Sequence, residues 1–252
     1  MLLSTLWRLS LSGLFSLAIC TAGAAPVSGY AFQSADTQAL QDDPFMNPGM
    51  LWVDAGKALF NTKAGAANKA CSDCHQTLAG TADKFPRLNP RTGALVNLTT
   101  QIQLCQLDQQ QATPVAYESE AALALTSYVG HASFGREWQP VTDPALATYL
   151  QRGAAYFSRR KGQLDLACGD CHVRSVGKLL RGDMISEGHS NGYPIYRLEW
   201  QSAGSLHRRL RSCDIGVRAE PRALGSQAYI EVELYLRQRA AGLTNETPAV
   251  RR

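Results

Sequence analysis

Two five-residue stretches, "CSDCH" at 71–75 and "CGDCH" at 168–172, constrain this chain more than any other feature of it. Each holds two thiols with two residues between them and an imidazole directly behind. That spacing is the attachment signature of a c-type haem: the thiols add across the porphyrin vinyl groups, and the histidine supplies the proximal iron ligand. Zinc also binds CxxC pairs, but zinc gives no reason for a histidine immediately after each pair. The pattern predicts two covalently attached c-type haems, held by Cys71, Cys74 and His75 and by Cys168, Cys171 and His172. Each haem then fills much of its core, so the chain should be mainly α with long loops.

The two motifs sit at the ends of an internal repeat. "GKALFNTKAGAANKACSDCH" and "GAAYFSRRKGQLDLACGDCH" align without a gap, so Gly56 matches Gly153, Phe60 matches Phe157 and Ala70 matches Ala167. A helix-like segment leads into each glycine, with apolar residues at helical spacing such as Ala147, Leu150, Ala154 and Phe157. Each repeat closes on an aromatic-bearing helical segment, "EAALALTSYVGHA" and "QAYIEVELYLRQRAAG". The expected architecture is two tandem cytochrome c-like domains related by duplication, residues 25–140 and 141–252. The joint falls near "QPVTDPA", 139–145, with its two prolines.

The first 24 residues read as a secretory signal: Arg8, then an apolar stretch, then "TAGAA" with its small residues. The apolar stretch is too short to span a bilayer, which takes about 20 residues. The expected mature chain is therefore exported, without membrane insertion, and periplasmic. Cys20 leaves with the signal. The formal net charge is +4 with no long Lys/Arg run, so a nucleic-acid partner is not indicated.

Six cysteines remain, and two of them lie outside the haem motifs. Cys105 lies 23 residues before Tyr128, and Cys213 lies 22 before Tyr235. The two thiols thus occupy corresponding places in the repeats, whereas no methionine or histidine pair does. Met46, Met50, His131, Met184, His189 and His207 are unmatched. This predicts His/Cys ligation at both irons, with Cys105 and Cys213 opposite His75 and His172. A thiolate ligand lowers the potential relative to methionine, which disfavours a plain electron carrier. The segment "SLHRRLRSCDIGVRAEP" also surrounds Cys213 with His207, Arg208, Arg209, Arg211 and Arg218. On a helix Arg209 shares a face with Cys213, while the other arginines fit a solvated face. Cations beside a cysteine favour its thiolate, and arginine forks bind oxyanions. Gln101 stands at the corresponding place of the first repeat, so chemistry is expected at the second haem.

The stretches "FPRLNPRTGALVNLTTQIQLC", "LACGDCH" and "GYPIYRLEWQSAGSLHRRLRSCDIGVRAEP" resemble SoxA, the di-haem subunit of the SoxAX cytochromes of sulfur-oxidising bacteria, over roughly residues 40–240. The resemblance implies a periplasmic L-cysteine S-thiosulfotransferase that pairs with a SoxX-like mono-haem cytochrome c subunit. It implies that thiosulfate is joined oxidatively to a cysteine of the carrier protein SoxYZ, with electrons leaving through haem. It makes Cys213 the catalytic sulfur, found in the family as a persulfide, and Arg209 the thiosulfate-binding arginine. "TTQIQLC" departs from the family in lacking an arginine. The rival readings are a di-haem electron-transfer cytochrome without bond-making chemistry, a di-haem peroxidase, and a structural module closed by a Cys105–Cys213 disulfide. Roles for Lys178, Arg181, Arg197 and Arg218 stay open.

Overall fold

A computed structural model describes residues 25–252; the expected leader, 1–24 with Cys20, lies outside them. Among the described residues eight α-helices carry the fold: α1 (Ala35–Asp42), α2 (Met50–Asn61), α3 (Leu98–Cys105), α4 (Glu120–His131), α5 (Ala147–Ser158), α6 (Cys168–His172), α7 (Leu206–Gly216) and α8 (Gln227–Arg239). Strands are minor. There are two short hairpins, β1 (Arg87–Leu88) with β2 (Leu95–Val96), whose β2 is buried, and β3 (Leu179–Leu180) with β4 (Asp183–Met184), whose Leu179 and Leu180 are exposed. A third sheet has β5 (Ile195–Arg197) between antiparallel β6 (Ser202–Gly204) and parallel β7 (Ala249–Arg251). Among the described residues no helix is long and apolar enough to cross a membrane.

The helices start and bury as their sequences dictate. Ser34, Asn97, Ser119 and Ser205 each accept a backbone N–H two or three residues into their helices, satisfying a donor that a helix start leaves free. α2 buries Val53, Gly56 and Phe60, and α5 buries Gly153, Tyr156 and Phe157, one stripe on each helix. α2 packs on α4, and α5 packs on α8. Both crossings are backbone-close. A Cβ on Gly56 would stand 2.0 Å from the Ala124 carbonyl oxygen, and one on Gly153 would stand 2.1 Å from that of Glu231. The matched aromatic pairs then meet identically, Phe60–Tyr128 and Phe157–Tyr235 both at 5.4 Å between ring centres. On α8, Tyr229, Val232 and Leu234 are wholly buried. Each such side chain contributes about 1.5–3 kcal/mol by leaving water, so burial holds α8 more than its helix propensity does.

The one-residue difference in Cys-to-Tyr spacing has a place. After Cys105 the chain makes a π-helical turn, Gln106–Gln110, ending at Gln111 in the left-handed region (φ 52°); α7 reaches Arg218 (φ 58°) without such a turn. A π-turn holds one more residue than an α-turn. From Gln111 and Arg218 onwards the register is the same, because Ala66 and Ala67 donate to Gln111 and Gln110 just as Gln163 and Leu164 donate to Arg218 and Val217.

The stretch 139–145 is not a free linker. Arg237 donates to the Gln139 carbonyl at 2.9 Å and Gln238 accepts from Val141 N at 2.6 Å. Beyond α8 the tail turns back across the molecule: Asn245 donates to the Gly130 carbonyl, Thr247 O lies 3.0 Å from His131 Nδ1, and Asn47 donates to Pro248 O. The last residues of the chain thereby brace α1, α2 and α4.

Candidate functional site

α7 is the element on which the site is built. Leu206 and Leu210, one turn apart, are buried, and they orient the helix so that Arg209 and Cys213 share the adjoining face. The Cys213 sulfur stands in the neighbourhood of the CGDCH loop: burial pushes the Cys171 thiol up and Cys213 adds to it. At Cys168 burial again dominates; Lys161 pulls the thiol down and Cys213 pushes it up. In the first half Cys105 occupies the same relation to Cys71, whose thiol is raised by burial and then by Cys105. All six described cysteines are free, so Cys105 and Cys213 form no disulfide here.

The Arg209 guanidinium is largely enclosed. Burial works against its charge, but Cys213 first, then Tyr193, Glu199 and Asp183, outweigh that and hold it above its ordinary value. No described side chain hydrogen-bonds or ion-pairs with it, so its forked donors are unused among the described residues. Arg197 lies on β5, 6 % exposed, bonded to Glu199 at 3.1 Å. Burial, then repulsion from Arg209, lowers it. Tyr193 is likewise raised by burial and pulled back by Arg209 and Arg197. Two arginines and a phenol therefore surround the Cys213 side of α7.

The other basic residues separate. Arg208 is not on a solvated face as expected: its guanidinium lies 4.2 Å over the Trp200 ring. His207 is held inside the fold. It is fully buried, accepts from Gly225 N at 3.0 Å, stands 3.0 Å from Glu233 Oε2 and stacks on Tyr117. Arg211 is exposed, and Lys178 and Arg181 stand exposed at the β3–β4 hairpin. Arg218 walls a cleft of about 510 Å³ with Tyr156, Arg159, Lys161 and Arg222. The unmatched histidines are also engaged, His131 with Thr247 O and His189 with Glu187 at 2.7 Å.

The residues present fit a c-type haem in the second half. His172 Nδ1 lies 2.8 Å from Ser186 O, which makes Nδ1 the donor and leaves Nε2 with its lone pair for a metal. Burial holds the imidazole below its ordinary value, despite the Ser186 bond, so it is the neutral form a ligand requires. A Cβ on Gly188 would lie 2.8 Å from the His172 ring, so the loop closes flat on the imidazole only with glycine there. In the first half a short 3-10 turn, Cys71–Asp73, leads directly into Cys74 and His75, and Gln101 Nε2 lies 3.3 Å from Cys105 Sγ. Among the described residues no three His, Cys, Asp or Glu side chains converge to hold a bare metal ion.

Asp214, the residue after Cys213, was not singled out from the sequence. It is 2 % exposed and accepts from Tyr156 OH at 2.6 Å and Tyr229 OH at 2.7 Å, and Lys161 pairs with it. The repeat carried the signal: Asp214, Lys161 and Tyr156 correspond to Gln106, Ala64 and Leu59.

The family model for the SoxA/TsdA cytochrome c domain matches residues 55–137. The L-cysteine S-thiosulfotransferase subunit SoxA of Pseudaminobacter salicylatoxidans is 36 % identical over 230 residues, covering 89 % of this chain and 80 % of that protein. Its counterpart in Rhodovulum sulfidophilum is 33 % identical, covering 89 % and 79 %. The crystal structure of SoxXA from P. pantotrophus superposes with a TM-score of 0.87 at 30 % identity, over 90 % of this chain and 87 % of that one. The fold is cytochrome c-like and mainly helical.

Proposed function

The chain belongs to the SoxA family of L-cysteine S-thiosulfotransferase subunits, and from that membership we propose how its residues divide the work. The reaction joins thiosulfate to a cysteine thiol of a carrier protein. It yields a cysteine S-thiosulfonate, one proton and two electrons. Covalently bound c-type haem supplies the acceptor for those electrons. The remaining steps belong to side chains.

Arg209 binds the sulfonate end of thiosulfate through its fork and orients the outer sulfur towards Cys213. The Cys213 sulfur, as thiolate or persulfide, couples to the outer sulfur of thiosulfate with loss of two electrons to the acceptor; the carrier thiolate then attacks that outer sulfur, forms the carrier S-thiosulfonate and breaks the bond to Cys213, which leaves as the thiolate or persulfide it began as. His172 and Cys213 are the residues that would hold the second haem's iron, with Cys168 and Cys171 as its covalent anchors. Cys71, Cys74, His75 and Cys105 would do the same for a first haem, giving two. The matched helix crossings, aromatic pairs and loops support two duplicated units, 25–140 and 141–252, with the tail of the second bracing the first. We assign to the chain a SoxX-like cytochrome partner, the SoxYZ carrier and a periplasmic location, in line with its family.

One observation carries this reading: an unpaired, enclosed arginine sits one turn before a cysteine that faces a CxxCH loop. Cys213→Ala tests it. In the purified holo-complex the variant should bind haem at both motifs, lose one of the two ferric signals, and lose thiosulfate-dependent turnover. Retained turnover in folded protein would overturn the assignment.

A further inference from the structure

We propose that Asp214, gripped by Lys161, Tyr156 and Tyr229, is a positioning element that fixes where the Cys213 sulfur stands against the CGDCH loop. This rests on the reading of Cys213 given above.

A carboxylate this deep is costly unless every lone pair is used. Here the two phenols donate to Oδ2, at 2.6 and 2.7 Å, and the Lys161 ammonium faces Oδ1. The donors come from three different elements. Tyr156 is on α5, Tyr229 is on α8, and Lys161 is on the loop that runs into CGDCH, its Nζ 3.8 Å over the Tyr156 ring. Burial first, and then the bond to Asp214, push both phenols far above their ordinary range, so they remain donors. Tyr156 and Tyr229 also belong to the apolar cluster on which Cys168 packs. A single carboxylate therefore ties α7 to the framework that carries the haem-attachment cysteines.

Cys213 is the next residue along α7. Rolling or sliding that helix enough to displace the sulfur breaks all three bonds to Asp214 at once, and burial makes each loss expensive. The Asp214 carbonyl adds a fourth tie by accepting Ala219 N at 2.9 Å, which closes the helix. Charge matters too. A bare carboxylate beside Cys213 would repel an anionic substrate, and Lys161 cancels it locally while leaving the field of Arg209 intact.

The first half lacks the device altogether. Gln106, Ala64, Leu59 and Ala122 stand where Asp214, Lys161, Tyr156 and Tyr229 stand in the second. The framework is shared, so packing alone does not require the network. It appears only where an arginine also precedes the cysteine.

The test compares Asp214→Asn, Tyr229→Phe and Cys213→Ala in the haem-loaded complex with its partner cytochrome, by electron paramagnetic resonance and by steady-state kinetics. Asp214→Asn is expected to shift or split the ferric signal that Cys213→Ala removes, to leave the other haem signal unchanged, and to lower kcat about tenfold or more with little change in KM for thiosulfate. Should Asp214→Asn not fold, Tyr229→Phe removes one of the bonds to Asp214, along with the one the phenol accepts from Arg222 N, keeps the ring, and carries the same expectation in milder form. Lower melting temperature with wild-type signals and wild-type kcat in the folded fraction would overturn the positioning role. If Cys213→Ala removes no signal, the ligand assignment itself falls, and this inference falls with it.

Discussion

Removing the Arg209 guanidinium should cost the enzyme chiefly at the step that captures thiosulfate. Arg209→Ala deletes a forked donor that no described side chain occupies. The loss should therefore register against substrate and not against a broken internal ion pair. A hydrogen bond to a charged group contributes about 1.5–3 kcal/mol. The fork offers two, but the site is only partly closed and Arg197 leaves positive charge behind. About 2–3 kcal/mol in total follows, which is roughly a 30- to 150-fold fall in kcat/KM for thiosulfate. Arg209→Lys keeps the charge and loses the planar fork, so it should recover part of the loss. The assay is initial rate against thiosulfate with carrier and partner cytochrome saturating, together with the ferric haem spectrum of each variant. A kcat/KM within twofold of wild type for Arg209→Ala would refute the reasoning. So would a spectrum that changes as it does in Cys213→Ala, because Arg209 would then be holding the ligand and not the substrate.

Two further outcomes follow from the framework. Gly153→Ala should destabilise the fold by about 1–3 kcal/mol or more, since overpacked cores lose that much and the new methyl would meet the Glu231 carbonyl at 2.1 Å; a denaturation midpoint equal to wild type would show that α5 and α8 can separate freely. The alkaline limit of stability should be set by buried phenols. Tyr117, Tyr156 and Tyr229 are each raised above the ordinary 10.0, first of all by burial. Their contribution is full below pH 10.0 and is lost progressively above it, because the unfolded chain releases protons the folded chain retains. Melting temperature followed from pH 8 to 11.5 should fall only beyond about 10, and Tyr156→Phe should flatten that fall; an unchanged slope in the variant would remove Tyr156 from the account.

Much of this was legible because the sequence repeats. Helices α2 and α5 could be placed from the glycines fifteen residues before Cys71 and Cys168, since a close crossing tolerates only glycine and the apolar stripe beside it has helical period. Cys105 and Cys213 could be paired with their motifs by position alone. The single-residue offset between them was visible as a number, but its location was not: a π-turn leaves no compositional mark, and it shows only as Gln111 reaching the left-handed region one residue late. His207 read as one more basic side chain beside Cys213 because its partners, Glu233 and Tyr117, are distant in the chain. The return of the tail over α4 was equally hidden, since Asn245 and Thr247 act through single hydrogen bonds without periodicity.

The comparison of the halves also explains why reactivity can be confined to one of them without changing the scaffold. Both place a donor one turn before a cysteine. In the first half it is the neutral amide of Gln101, 3.3 Å from Cys105 Sγ, which donates to the sulfur and brings no charge to it. In the second it is Arg209, which carries a full charge and has no described partner. An amide bonded to a sulfur is a closed contact. A guanidinium near a sulfur, with the competing carboxylate of Asp214 already neutralised by Lys161, is an open one that attracts anions. Exchanging the donor therefore changes what can approach the sulfur, while the helices that place it stay the same. Under the proposed function, this single exchange gives the second half an anion-attracting cysteine that the first half lacks.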